Sequence, residues 1–494
     1  MTLADRPLLR SPSLGASAVI VLAVAVMMTP AVIGPMMLHD SFWIDYVWAD
    51  QFTALLRKGE LYPRWLPWSH DGLGSPVFYY YPPLAFYVTG AFGLAGLSTY
   101  GSILAAFALA FIMSGIGAYH WLRDRSSQPL LGALFFTVAP YHWFDFYGRG
   151  ALAESIAIAF LPMLAIGLRR VAEGRGWQLL ALAYAAMILC HLPLALLASI
   201  FLIAPYALFH RRRLGGFVAG CAIGIGLAAI YLLPALGLEQ FRDSTQLWSS
   251  PHLRPAFWSI FAANWKVGFV AGMHLTFAIL AVPALIIAYV SRDRWALYAL
   301  AILAIGIGLV PFIWSLPLLR DVQFPYRILP LAELALAAAI ARAPLSRNIR
   351  IVAVALPLIW TGVLLRFPHD PGPHRIALEQ RHLDVAEYLP PGAKDPANWK
   401  AWVEQPRQGR IPLPEIEGWI VRPTFYFPGW SCGQPEPRTR LLMHRPGCDP
   451  QLRPTTPEKI GAAISLVALL ILLFHLLRAR RLTQASAPRE QALG

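Results

Sequence analysis

Apolar runs separated by short polar loops make up most of this chain. Each run predicts a membrane-spanning helix, because about 20 apolar residues cross the hydrocarbon core of a bilayer. The first run follows a polar N-terminal stretch without a clear cleavage site, which favours an uncleaved first span over a signal peptide. About twelve spans are predicted, at 17–38, 100–122, 128–141, 151–168, 177–190, 192–209, 215–237, 270–290, 295–317, 327–342, 349–366 and 459–477.

Arginine residues concentrate in alternate loops between these runs, and such loops face the cytoplasm. The clusters lie at 123–125, 169–175, 211–213, 292–294, 342–350 and 478–481. This pattern predicts cytoplasmic N- and C-termini and places the long polar loops on the other side. The segment 83–98 is then too short and too rich in glycine for a full crossing, and we expect an interfacial or re-entrant helix there.

Composition supports a membrane protein. Hydrophobic residues make up 57% of the 494 residues and charged residues only 14%, against roughly 45–50% and 25% in ordinary soluble chains. The net charge of +14 is explained by the arginines of the predicted cytoplasmic loops, so no nucleic-acid partner is predicted. No phosphate-binding Walker loop, dinucleotide fingerprint, HExxH helix or paired CxxC motif is present, and nothing indicates ATP hydrolysis or a redox cofactor.

The fold class predicted is an all-α polytopic membrane protein with one small, mainly β domain outside the membrane. The proline-rich segment before the last span has few helical patterns and several short strand-like runs such as WIVRPTFYF. The predicted divisions are a membrane domain at 1–366 with its outside loop at 39–83, the β-rich domain at 367–457, a final helix at 458–480 and a tail at 481–494. Cys432 and Cys448 lie in the β-rich segment; they form a disulfide in an oxidising compartment, or remain free thiols.

The first outside loop begins with acidic residues directly after the first span. Asp40, Asp45 and Asp50 are spaced five residues apart, which does not place them on one helix face. A carboxylate at this level is either a general base at the mouth of a cavity or part of a solvated helix start. Arg64, further along the loop, has the forked donor geometry that suits a phosphate.

The rest of this loop is dense in glycine, proline and aromatic residues. Tyr80 and Tyr81 belong to the run YYYPP. Such aromatics stack on sugar rings, line a lipid-tail groove or form an interfacial belt. We treat Tyr80 and Tyr81 as candidate substrate-lining residues.

A second group of polar residues lies in APYHWFDFYGRGALAESIA, between two predicted spans. His142, Asp145, Arg149 and Glu154 occur within a dozen residues or so. An acid, a base and an arginine so close together suit an anion or sugar site. A helix-capping cluster of ion pairs is the alternative.

Three further polar residues lie at or inside apolar runs. His191, in CHLP, is either a structural histidine or a substrate-lining one. Arg327, in DVQFPYR, holds a lipid phosphate or anchors the helix at the interface. Glu333 lies within an apolar helix, so it must face a cavity or a partner.

Several motifs, taken in order, resemble one family. These are GELYPRW, GLGSPVF, YYYPPLAFY, APYHWFDFYGRGALAE, CHLP, FPYR, EYLPPG and FYFPGW. The ordered set resembles the YfhO-like bacterial membrane proteins labelled "6-pyruvoyl-tetrahydropterin synthase-related", which belong with the GT-C glycosyltransferase superfamily. The resemblance covers nearly the whole chain.

This resemblance implies an inverting glycosyltransferase of the bacterial inner membrane that acts on the periplasmic face. The donor would be a polyprenyl-phosphate-linked sugar, and the acceptor a saccharide, lipid or protein. The resemblance matches the base to Asp40, with Asp45 as its rival, and a second acid to Asp145, with Glu154 as its rival. The donor phosphate would be held by Arg149, Arg327 and Arg64.

A divalent metal stays undecided, because many superfamily members carry a paired acidic motif after the first span where this chain has His39-Asp40. Two other functions compete with the transferase. A transporter or flippase of lipid-linked saccharide would more often show internal repeats and charges at the midplane. A non-catalytic assembly protein would keep the fold and use its outside domain for partners.

Overall fold

The computed structural model describes residues 14–33, 41–248, 250–262, 267–364, 384–393 and 416–485. The candidate base Asp40 and its neighbour His39 lie outside these residues. Helices dominate the described part of the chain, and the few strands lie in the segment before the last helix, which is predicted to be outside. The predicted helical membrane fold with a small sheet is confirmed.

The described residues form nineteen α-helices. They are α1 Leu14–Ile33, α2 Phe42–Arg57, α3 Val77–Tyr80, α4 Leu84–Leu94, α5 Thr99–Leu122, α6 Pro129–Thr137, α7 Pro140–Phe144, α8 Leu152–Ala159, α9 Leu161–Ala172, α10 Gln178–Cys190, α11 Leu192–Ala198, α12 Ala204–Phe209, α13 Leu214–Leu227, α14 Ala229–Gly237, α15 Gly268–Ser291, α16 Arg294–Gly306, α17 Leu329–Arg342, α18 Arg347–Leu364 and α19 Thr456–Ala485.

Each of the twelve predicted segments contains a helix, but the helices differ in length. Among the described residues, seven spans are long and apolar enough to cross a membrane, or eight if the bent pair α13–α14 is one span. The seven are α1, α5, α8–α9, α11–α12, α15, α18 and α19. The other four segments contain α6, α10, α16 and α17, which are shorter because glycine, proline or a polar turn ends them early.

Small residues let neighbouring helices approach closely in a bundle of this kind. A side chain added at Gly220 of α13 would meet Leu180 of α10 at 2.8 Å, and one at Gly224 would meet the Ala181 carbonyl oxygen at 3.0 Å. The helix pair α13–α14 bends by 68°. The chain therefore turns sharply between α13 and α14.

Helix α17 lies at the centre of the bundle. Its residues from Leu329 to Ala341 are all buried, and it contacts α5, α6, α7, α9, α15, α16 and α18. Glu333, a carboxylate in this buried helix, needs hydrogen-bond partners from neighbouring helices. Those partners belong to the site described below.

A three-stranded antiparallel sheet lies in the described part of the predicted outside segment before α19. Strands β1 Ile420–Phe425, β2 Gln434–Pro435 and β3 Leu441–His444 take the order β1-β3-β2. Ile420 pairs with His444 and Phe425 with Leu441, with an irregularity between them. All four residues of β3 are buried, as expected for a central strand covered on both sides.

The sheet packs on the first outside loop. The Phe425 amide donates to the Leu73 carbonyl oxygen at 2.7 Å, and the ring centroids of Tyr79 and Phe427 lie 4.3 Å apart. Trp65 lies over Gly74, where a side chain would come within 2.3 Å of the indole and where φ is +85°. Glycine is therefore required at this position. The motifs GLGSPVF and FYFPGW thus form one packed unit.

Oxidised Cys432 and Cys448 are predicted to stabilise this outside unit. Their Cα atoms lie 6.6 Å apart, within the range that a disulfide bridges. Alkylation of the unfolded protein without reductant is expected to label two thiols, Cys190 and Cys221, and alkylation after reduction four. Reduction should lower the free energy of unfolding of the outside unit by about 2–3 kcal/mol, as expected for a loop of this size. Four labelled thiols before reduction would contradict the pairing.

Candidate functional site

Four separate parts of the chain meet at one end of the helix bundle. They are the start of α2, the segment that joins α7 to α8, the α10–α11 junction and the turn before α17. The first three contribute buried polar or charged side chains, and the turn before α17 contributes the partly exposed Arg327. We call Asp145, Arg149, Glu154 and Arg327 the arginine–carboxylate cluster.

The chain makes a wide turn between α7 and α8 that brings the cluster together. Residues Asp145–Arg149 form one π-helical turn, a distortion that is frequent at functional sites. Gly150 ends the turn with φ +62°, and a Cβ there would lie 2.4 Å from the Cβ of Phe42. Only glycine fits this left-handed position so close to α2. Asp145 and Arg149 are thereby turned towards the start of α8.

Arg149 is the centre of the cluster and is buried. Its Nη1 donates to Asp145 Oδ1 at 2.5 Å and to Glu154 Oε2 at 2.8 Å. The guanidinium also lies 5.3 Å from the centroid of the Tyr326 ring. The buried guanidinium offsets part of the negative charge of the two carboxylates, and Arg327 adds a second positive charge at Glu154.

Glu154 connects the cluster to two other helices. Its Oε1 accepts a hydrogen bond from the Tyr141 hydroxyl at 2.7 Å, and its Oε2 accepts one from Arg327 Nε at 3.2 Å. The Arg327 side chain is 12% exposed, against 1% for that of Glu154. Arg327 is therefore the member of the cluster that lies nearest to solvent.

Asp45 lies at the other side of the same turn. Its Oδ2 accepts the Leu152 amide hydrogen at 3.2 Å, so a carboxylate of α2 satisfies a free backbone donor at the start of α8. Burial raises the pKa of the Tyr81 hydroxyl, the nearby charge of Asp45 raises it further, and Arg327 opposes the shift. The Tyr81 hydroxyl, at the end of the first loop and within reach of the charges of Asp45 and Arg327, therefore stays neutral.

His191 joins the cluster from the α10–α11 junction. Its Nδ1 accepts the Leu194 amide hydrogen at 3.3 Å, so in the neutral ring the proton is on Nε2. Nε2 lies 3.8 Å from Glu154 Oε2. His191 thus caps α11 and directs a donor towards the cluster.

His142 forms a separate pair with the central helix. Its Nδ1 lies 2.9 Å from Glu333 Oε2 and its Nε2 lies 3.2 Å from Ser114 Oγ. Glu333 Oε1 accepts the Tyr141 amide hydrogen at 2.7 Å. These contacts supply the partners that Glu333 needs, and they fix the α7 backbone from which Tyr141 reaches Glu154.

The remaining predicted site residues have contacts elsewhere. Arg64 Nε pairs with Glu458 at 2.9 Å, and its guanidinium lies 3.7 Å from the Tyr62 ring centroid. The Tyr80 hydroxyl donates to the Leu238 carbonyl oxygen at 2.8 Å. Arg64 therefore ties the first loop to the start of α19, and the structure does not bring it to the arginine–carboxylate cluster.

A cavity of about 940 Å³ lies beside the turn that carries Arg327. Pro325 is part of its wall, and two arginines, Arg254 and Arg320, also line it. Trp248, Phe261, Phe312 and Trp314 supply aromatic walls. Asp321 also lines it, so the charged wall carries both signs. A space of this size with charged and aromatic walls has the character of a ligand pocket.

Glu387 is a polar residue of this region that the sequence did not single out. It lies in EYLPPG, and burial raises the pKa of its carboxyl, while a hydrogen bond with Tyr388 and the charge of Arg242 oppose the shift. The Trp48 indole of α2 donates to Asp384 at 2.9 Å, which holds this segment against the first loop. The presence of EYLPPG among the resembling motifs was the signal that could have identified it.

No group of three or more histidine, cysteine, aspartate and glutamate side chains that could hold a metal ion occurs within the described ranges. The carboxylates of the cluster are instead bonded to arginines. The donor set within the described ranges therefore does not fit a resident divalent metal, and no chemical step is assigned to one.

Comparisons with known proteins give a small set of distant matches. No family model matches the chain, and no curated protein matches it. Among solved structures it is similar to the arabinofuranosyltransferase AftD from Mycobacteria, with a TM-score of 0.45 and 16% identity over 78% of this chain. A second structure of AftD gives a TM-score of 0.42 and 19% identity. The chain spans less than a third of the length of AftD, since these matches cover 29% and 28% of it.

Proposed function

We propose that this protein is a membrane glycosyltransferase of the GT-C type. It transfers a sugar from a polyprenyl-phosphate donor to an acceptor at the periplasmic face of the bacterial inner membrane. The acceptor is a saccharide, a lipid or a protein. The observation that carries the proposal is the arginine–carboxylate cluster with Asp45 beside it, at one end of the helix bundle and next to a large cavity.

The position of the cluster suits a donor that is itself a lipid. The phosphate of such a donor lies at headgroup level while its tail lies among the helices. Arg327 lies at the edge of the cluster and beside Pro325 of the cavity wall. Its Nε is bonded to Glu154, which leaves its terminal nitrogens as donors for a phosphate.

In the proposed reaction the acceptor hydroxyl attacks the anomeric carbon, and the lipid phosphate leaves with the electrons of the broken bond. Asp45, or Asp40 outside the described residues, takes the proton of the hydroxyl. Arg327 stabilises the negative charge that develops on the departing phosphate. Asp145 and Glu154 act through Arg149 and Arg327, whose guanidinium groups they hold in place.

Replacement of Arg327 by glutamine is expected to lower the rate of sugar transfer about a hundredfold. This is the usual effect of removing one hydrogen-bond donor that stabilises the charge developing in a transition state. The measurement is transfer from radiolabelled polyprenyl-phosphate sugars in proteoliposomes. Arg149 and Tyr141 retain their bonds to Glu154 in this variant, so the fold should be kept.

Arg347→Gln is the matched control, because Arg347 is an exposed arginine at the start of α18 and the substitution removes the same charge. The control should transfer sugar as the wild type does. Equal activity of Arg327→Gln and the wild type would remove Arg327 from its role. No transfer by the wild type with any donor would contradict the enzyme and favour a transporter or an assembly protein.

A further inference from the structure

A second polar pocket lies at the opposite end of the bundle from the arginine–carboxylate cluster. The span α8–α9 carries Glu154 near its start and Arg169 near its end, and α17 follows Arg327 and ends at Arg342. Both pairs are fifteen residues apart, which is about 22 Å along a helix. The pocket is small, at about 90 Å³.

Three arginines from three different parts of the chain line this pocket: Arg125 after α5, Arg169 of α9 and Arg342 at the end of α17. We call them the arginine triad. Arg169 Nη1 donates to the Trp121 carbonyl oxygen at 3.0 Å, and Arg125 pairs with Glu173. The charges of Glu173 and Asp124 both act on Arg169. Neither residue lines the pocket, so the three guanidinium groups leave the positive charge in excess there.

The other walls of the pocket are those of a membrane interface. Trp121, Trp295 and Tyr206 surround the arginines, with Leu202 and Ala338 as part of the apolar wall. Aromatic rings of this kind sit at headgroup level. The arginine-rich loops also predict that this end faces the cytoplasm, where the leaflet surface is anionic.

We propose that the arginine triad binds the phosphate group of an anionic membrane lipid in the cytoplasmic leaflet. The small volume of the pocket suits one phosphate, and the apolar side chains of its wall would contact the first methylene groups of the acyl chains. Guanidinium groups recognise phosphate through paired hydrogen bonds. The site is separate from the proposed sugar transfer and does not depend on it.

The test uses the full-length protein in neutral detergent. Phosphatidylglycerol is titrated into the wild type and the double variant Arg125→Gln/Arg342→Gln while the Tm is followed, with phosphatidylcholine as the uncharged lipid. The wild type should show a saturable rise of Tm with phosphatidylglycerol only. The double variant should need at least about ten times more lipid, because two charge-assisted donors are lost.

Arg211→Gln/Arg212→Gln is the matched control, since it removes the same charge from two exposed arginines before α13. This control should respond as the wild type does. An unchanged lipid response in the triad variant would overturn the proposal. Glycerol phosphate acting as well as the lipid would identify a soluble phosphate as the ligand, and polyglutamate acting in place of phosphatidylglycerol would identify an acidic protein. Both results would also overturn the lipid assignment.

Discussion

Replacement of Asp45 by asparagine is expected to lower sugar transfer by roughly 10²–10⁴, the usual contribution of a general base. Asparagine has the same size, and its side-chain oxygen can still accept the Leu152 amide hydrogen that Asp45 accepts at 3.2 Å. The fold should therefore persist while the proton acceptor is lost. The measurement is the initial rate of transfer in proteoliposomes, normalised to the amount of folded protein.

Asp50→Asn is the matched control on the same helix. Asp50 accepts a hydrogen bond from Thr99 Oγ1 at 2.6 Å, and asparagine can accept it too. The control should retain full transfer. If Asp45→Asn keeps the wild-type rate and Asp40→Asn loses it, the base is Asp40; if both keep the wild-type rate, no aspartate after the first span serves as the base.

Replacement of Arg149 by methionine is expected to reduce the free energy of unfolding by about 3–5 kcal/mol, the usual cost of breaking a buried ion pair. Methionine fills a similar volume, but it leaves the Asp145 carboxylate without its bond at 2.5 Å and Glu154 without its bond at 2.8 Å. Arg327 remains bonded to Glu154, so Asp145 loses more than Glu154 does. Thermal unfolding and the yield of monodisperse protein in detergent would show the loss.

A triple variant separates lost charge balance from lost packing. Adding Asp145→Asn and Glu154→Gln to Arg149→Met removes both buried negative charges together with the positive one. Stability should then recover in part, because a buried pair replaced as a whole costs less than a single unpaired charge. A triple variant less stable than Arg149→Met would show that the hydrogen bonds of the carboxylates, rather than the balance of charge, stabilise the turn.

The sequence predicted the helical membrane fold because apolar runs report burial or lipid contact directly. It was less successful at showing which apolar runs form a single helix long enough to cross the membrane. The segments around α6, α10, α16 and α17 are as apolar as true spans, yet these helices end after 9 to 14 residues at a glycine, a proline or a polar turn. Apolar composition does not contain that information.

For the candidate site, local spacing indicated that Asp145, Arg149 and Glu154 belong together, since they lie within ten residues. That His191 and Arg327 join them depends on how α11 and α17 pack, and a single sequence does not record packing. The partner of Arg64 could not be predicted from the sequence either. Its forked donors suit a phosphate, but in the fold they pair with Glu458 near the other end of the chain. A residue type suggests a chemistry, while its partner is set by the fold.

The contact between Phe425 and Leu73 joins two segments of the chain that are synthesised far apart in time. Thr424 Oγ1 also donates to the Leu73 carbonyl oxygen, across a separation of 351 residues. At typical synthesis rates of 5–20 residues per second, the first loop waits roughly 20–70 s before the strand that covers it is made. During that interval its aromatic residues face the aqueous compartment uncovered, and we expect them to be a binding site for chaperones while the rest of the chain is inserted.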